Sequence, residues 1–193
     1  MSFNMSQDFE NQTFTKKDFT NIDLKNKSFS SVHFENCDFT QSDIRSTRFL
    51  DCRFSGCNLS LSKVDNSRFQ NVEFQSCKLV GVNFTQCDNL FLSIKFHKCL
   101  INTSNFSNLN LKNTPFRDCI IRDTYFSETN LMGADFSESD LKGSTFHSTN
   151  LSNANFISAL NYSINPLTNK LTKARFSSPE VLTFLDYLEI IIE

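Results

Sequence analysis

Seven cysteines, three histidines and a run of carboxylates are the groups through which this chain could bind a metal, attack a substrate or hold a charged partner. A zinc or thiol-redox centre would need cysteines grouped at CxxC-like spacing. Cys37, Cys52, Cys57, Cys77, Cys87, Cys99 and Cys119 are dispersed, and even Cys52 and Cys57 are too far apart for a zinc ribbon. Nucleophilic catalysis would pair a histidine with a Cys or Ser, yet His33, His97 and His147 have no such partner at a recognisable spacing. No glycine-rich phosphate loop is present. Asp135 and Glu138 could serve as acid and base, but only inside a cleft. The expectation is a protein that is no enzyme and needs no cofactor or metal.

The cysteines obey a register instead. In "NLMGADFSESDLKGSTFHSTNLSNANF", Leu131, Phe136, Leu141, Phe146, Leu151 and Phe156 stand five apart. Two positions before each is a small residue: Thr129, Ala134, Ser139, Ser144, Thr149 or Ala154. A helix repeats at 3.6 residues and a strand at 2, so a strict five belongs to a larger unit. One flat side plus one corner of a coil satisfies it: the large residue points to the coil axis, and strand alternation points the small one there too.

The large slots extend back through Phe126, Ile121, Phe116, Leu111, Phe106, Ile101 and Phe96, with Phe91 as the expected start. A second series, offset by two, runs every five residues from Phe9 to Phe84. The slip falls in 85–94, where Asn89 occupies a large slot, and a short bulge or loop is expected there. With Asn89 counted as a slot, every cysteine lies two residues before a large position. All seven are therefore expected as small, reduced core residues.

Charges indicate four sides per turn. At a step of 20, Arg53 meets Glu73, Arg45 meets Asp65, Asp43 meets Lys63, Arg68 meets Asp88 and Lys98 meets Asp118. Arg48 with Arg68 and Arg122 with Lys142 are like pairs. Thirty large slots at four per turn predict a rod of about 36 Å at the usual strand spacing. The net charge of −2 disfavours direct nucleic-acid binding, and neither a leader nor an 18-residue apolar span is visible, so a soluble cytoplasmic protein is expected.

With "ADFSE" and "SDLKG" at Ala134 to Gly143, the chain resembles the pentapeptide-repeat family over about residues 7 to 158. The resemblance implies an all-β, right-handed quadrilateral β-helix. Residues 1–158 are expected to form this solenoid and 159–193 a cap and dimerisation segment. In the tail, Ser178 is the expected N-cap of a short α-helix with Pro179 at its first position and an apolar stripe of Val181, Leu182, Leu185 and Leu188. Ile190, Ile191 and Ile192 favour a strand, and three consecutive Ile suit a twofold interface. The tail is similar to that of the quinolone-resistance and microcin-immunity branch, although Glu189 replaces an expected Gly. That resemblance implies a homodimer that mimics DNA and binds DNA gyrase, a type II topoisomerase. Asp118, Asp123, Glu128, Asp135, Glu138 and Asp140 are the acidic surface expected to meet it. The alternative is a scaffold for some other protein.

Overall fold

The computed structural model describes residues 8–188 and Ile190. Its strands are short and all pair in parallel. The first side of the coil stacks Asp8–Glu10, Ser28–Ser30, Arg48–Leu50 and Arg68–Gln70. The second stacks Thr13–Thr15, His33–Glu35, Arg53–Ser55, Val72–Gln75, Ile94–His97 and Phe116–Arg117. Ladders continue on the third side through Lys78–Val80, Leu100–Asn102 and Ile120–Arg122. The fourth side is held mainly by single bridges, such as Asp23 to Asp43 and Asn105 to Tyr125. Partners stand 20 residues apart, as Phe9 with Phe29 and Phe34 with Phe54, so four sides make one turn. The right-handed quadrilateral solenoid that the resemblance implies is the fold.

The corners explain the polar positions of each pentad. One residue in five takes a left-handed conformation, including Asn36, Leu61, Lys98 and Glu138. For a residue with a side chain this costs about 1–2 kcal/mol. Most corner amides donate a ladder bond to the following coil, as Asn36 N to Ser55 O at 2.8 Å and Asp118 N to Ser137 O at 3.0 Å, which offsets this cost. The Asp or Asn just before a large residue accepts from the amide two positions on: Asp18 from Thr20 at 2.8 Å, Asp38 from Thr40 at 2.8 Å and Asn155 from Ile157 at 3.2 Å. Such side-chain turns shape the corner locally. Gly143 shows a different constraint. The left-handed corner alone does not require Gly, but a Cβ there would come 2.2 Å from Asp123 Oδ1 of the coil beneath.

Inside, the Phe rings form columns. Phe116 stacks between Phe96 at 5.1 Å and Phe136 at 4.9 Å, and meets Phe106 and Phe126 edge-on. All seven cysteines are buried and unpaired. Five of them, Cys37, Cys57, Cys77, Cys99 and Cys119, occupy one column, and four donate to a carbonyl of the preceding coil, such as Cys57 Sγ to Phe34 O at 3.3 Å.

Two departures from the sequence expectation concern register. The ladder step is 20 from Arg68 to Asp88 and 22 from Glu73 to Lys95, so two extra residues lie between Asp88 and Ile94, inside the expected segment. Phe91 is no core slot, however. It is 49% exposed with the Arg68 guanidinium 5.2 Å over its ring, Leu90 is 72% exposed, and Leu92 packs against the core instead. The second departure is at the end. A shortened step of 18, from Phe146 to Ile164, is followed by a normal one from Phe156 to Phe176. The repeat thus continues past residue 158 to Phe176, because Tyr162, Ile164 and Leu171 still reach inward.

The terminal helix, Glu180–Tyr187, is a 3₁₀ helix with Pro179 as its N-cap, so Ser178 does not cap it. At three residues per turn, Val181, Phe184 and Tyr187 align on one line and Leu182, Leu185 and Leu188 on another. Phe184 meets Phe176 at 4.9 Å and Tyr162 at 6.2 Å, while Tyr187 Oη is 2.5 Å from Ser163 Oγ. The core-facing line therefore closes the last coil. Ile190 is not in a strand, and Ile191 and Ile192 lie outside the described residues.

Candidate interaction surface

The six carboxylates of the C-terminal half occupy different edges of the rod. Asp118 and Glu138 are successive corners after the second side; Asp135 lies on that side and Asp140 on the third. These four share one edge. Asp123 is on the corner after the third side and Glu128 on the corner after the fourth, so the structure does not bring all six together.

Local sequence also hides the partners of the first group. Arg117 pairs with Asp135 and Arg122 with Asp140, each from 18 residues earlier, and Lys98 Nζ lies 3.7 Å from Asp118. The stretch from Asp123 to Asp140 contains no Lys or Arg, but the coil below supplies them. Burial works against the Asp135 carboxylate, yet Ser137 and Arg117 outweigh it and hold its pKa below the usual range. Asp140 is likewise opposed by burial and lowered by Asn161, Arg122 and the Lys142 amide. Among the described residues, Asp123, Glu128 and Glu138 make no ion pair.

Of the five ion pairs expected from stacking, three form: Arg53 with Glu73 at 2.7 Å, Arg68 with Asp88 at 2.6 Å, and Lys98 with Asp118. The other two do not. Asp43 is taken by Arg45 at 2.7 Å, because the two flank Ile44 on the same outward face and Arg reaches along the strand. Asp88 and Asp140 also relieve the like pairs by claiming Arg68 and Arg122.

The tail leaves a second feature. Leu182 is 57%, Leu188 45% and Ile190 53% exposed, and Leu185 is partly buried. This apolar line stands beside the one that closes the core. Among the described residues no helix is long and apolar enough to cross a membrane, and among them no three His, Cys, Asp or Glu side chains gather as a metal site.

The histidines differ from expectation at one position. His33 does have a serine partner: its Nε2 is 2.9 Å from Ser55 Oγ, and Glu35 Oε1 is 3.3 Å from Nδ1. The 22-residue separation was the signal, since it joins neighbouring rungs diagonally, but it marks no catalytic motif by itself. His97 lies beside Lys95 and Arg117 on the same side, and His147 lies near Tyr187 at the tail.

A four-sided parallel solenoid with stacked Phe, small inward residues and left-handed corners defines a class of rod-shaped repeat proteins that presents side chains on convex faces. The chain belongs to the pentapeptide-repeat family: the pentapeptide repeat region matches at 27–106, 82–156 and 99–176. Among solved structures it is similar to QnrB1, described as a plasmid-mediated fluoroquinolone resistance protein. A trypsin-treated variant of QnrB1 matches with 18% identity and a TM-score of 0.56, over 96% of this chain and 97% of that one. Full-length QnrB1 matches with 15% identity and a TM-score of 0.51, over 95% and 100%. At these identities the likeness concerns the fold. No curated protein matches the sequence.

Proposed function

We propose that the protein is a cytoplasmic, non-enzymatic binding rod that mimics DNA, engages DNA gyrase and protects it from quinolones or from a gyrase-directed peptide toxin. The observation that carries this reading is the correspondence with QnrB1 over nearly the whole of both chains. Rod dimensions are compatible with it. The second side climbs through Thr13, His33, Arg53, Glu73, Lys95, Pro115, Asp135, Asn155 and Arg175, or about 38 Å at the strand spacing.

Shape does more than charge in this reading. A duplex of that length carries about 22 charges at one per ~1.7 Å. This chain has a net charge of −2, and Asp118, Asp135 and Asp140 already face cations. Glu138, Asp123 and Glu128 are then the carboxylates free to meet a basic partner. The line of Leu182, Leu185 and Leu188, with Ile190 to Ile192 following in sequence, is the proposed homodimer contact that doubles the rod's length.

A supercoiling assay with purified gyrase and a fluoroquinolone tests the reading. The protein at molar excess should restore supercoiling. Leu182→Lys with Leu188→Lys should sediment as a folded monomer and protect poorly. Unchanged inhibition by a proven dimer would leave the alternative, a scaffold for another protein, which the paired acidic edge favours.

A further inference from the structure

The ladder of backbone hydrogen bonds stops at the last coil, and the tail closes only part of that end. Phe184 covers Phe176 and Tyr162, and Tyr187 reaches Ser163. The first side is left outside: Leu131 and Leu151 in its inward column are fully buried, but Leu171 above them is only partly so. In the coil below, the amides of Leu151 and Asn153 donate to Lys170 O and Thr172 O at 2.9 Å each, while Thr149 O and Ala154 O accept from Lys170 N and Arg175 N. The equivalent groups of the last coil are the amides of Leu171 and Lys173 and the carbonyls of Asn169 and Ala174. Among the described residues, none of these four has a hydrogen-bond partner.

The rim of this edge is basic. Lys170, Lys173 and Arg175 are exposed, follow one another around the corner between the first and second sides, and make no ion pair among the described residues. They gather on a chain whose net charge is −2. An unpaired strand edge invites another strand, and cations along it select an acidic one. We propose that this edge binds an extended acidic segment of a partner protein, which adds to the first side in parallel with 169–175 and continues the coil. The contact uses none of the groups assigned to the acidic edge or to the Leu182 line, so it stands apart from the gyrase reading.

Register specifies the segment. Neighbouring rungs align Asn150 with Lys170 and Asn155 with Arg175, so the first and sixth residues of an added segment stand over Lys170 and Arg175. Acids there meet the two cations, as Asp88 above Arg68 and Asp118 above Lys98 do within the rod. The second residue lies over Leu171 and should be large and apolar, by the alternation that fills every coil below. The fourth turns the corner over Lys173, where Asn113, Gly133 and Asn153 stand in earlier coils. Four main-chain bonds hold the segment. Its first amide donates to Asn169 O and its sixth to Ala174 O, while its first and third carbonyls accept from Leu171 N and Lys173 N.

The test uses the full chain and a capped, fluorescent heptapeptide with Glu at its first and sixth positions, Leu at the second, Gly at the fourth and Thr elsewhere. Fluorescence anisotropy should show saturable binding that weakens as salt is added. Lys170→Glu combined with Arg175→Glu should lower the affinity about tenfold without altering the melting curve. N-methylation of the peptide's first and sixth amides leaves its charge intact and should also cost about tenfold, because two ladder bonds are lost. In the bound protein, hydrogen exchange at the Leu171 and Lys173 amides should slow about tenfold or more. No saturable binding, equal affinity for the N-methylated peptide or by the charge-reversed chain, or unaltered exchange at those two amides would each overturn the proposal. Binding confined to the chain carrying Leu182→Lys and Leu188→Lys would overturn it as well, since a second copy would then hold the edge.

Discussion

Replacing Phe116 with Ala probes the ring ladder where it is most complete. Phe116 is fully buried, stacked on two rings and edge-on to two more. Removing a buried Phe side chain costs about 3–5 kcal/mol, partly for the cavity that remains. Collapse is restricted here, since Phe96 N to Pro115 O at 2.9 Å and Phe116 N to Asp135 O at 2.7 Å hold the rungs apart on both sides. Each aromatic neighbour adds about 0.5–1.5 kcal/mol beyond area, so the upper end, about 5 kcal/mol, is expected. At roughly 2–4 °C per kcal/mol for a chain of this size, Tm should drop by about 10–20 °C. Phe176 is the control, being partly buried on the last rung with Phe156, Tyr162 and Phe184 as its ring neighbours. Phe176→Ala should cost about half as much. Urea unfolding followed by circular dichroism gives both values, and a reduced slope in Phe116→Ala would show the two halves of the solenoid melting separately. A cost below about 1 kcal/mol, or one no larger than that of Phe176→Ala, would refute the reasoning.

Other expected outcomes follow from the same geometry. Phe116→Asp should fail to fold, because the stacked rings offer a carboxylate no partner; recovery of soluble, cooperatively melting protein would count against the register. Burial pushes the Cys52 thiol up to about 11 and that of Cys87 higher still, while within the stacked column the neighbouring cysteines lower Cys57 and Cys99. All seven are buried out of reach, so a polar disulfide reagent at pH 8 should label none of them quickly and all seven after unfolding. Asp43 is lowered chiefly by Arg45, and Asp135 and Asp140 are lowered as described above. A depressed folded-state pKa stabilises above the ordinary value of 3.8 and is lost as pH falls through the folded value. Tm should therefore be insensitive to these groups near neutrality and decline below about pH 4. Gly143→Ala should destabilise by about 1–3 kcal/mol through its collision with Asp123, and Asp123→Ala should rescue most of that loss in the double variant. An equal cost in both backgrounds would place the strain in the backbone.

The period of five determined, residue by residue, which side chains enter the rod. That choice is local: alternation along each short strand sends the large residue and the one two positions earlier to the axis, and burying Phe outweighs any surface preference. It accounts for Phe116, for all seven cysteines and for the location of the irregularity near Asn89. Lateral neighbours on the outside were decided only by the tertiary structure. They depend on the length of each turn, which is 20, 22 or 18 residues, and on diagonal reach between rungs. Arg117 with Asp135, Arg122 with Asp140 and His33 with Ser55 all arise in this way, as does the exposure of Phe91. Exposed pairings differ by less than about 1 kcal/mol, so the period cannot select among them. The tail shows the same division. Its apolar residues were legible, but 3₁₀ winding places Phe184 on the last coil and leaves Leu182 and Leu188 outward, because three residues per turn align positions that an α-helix would spread.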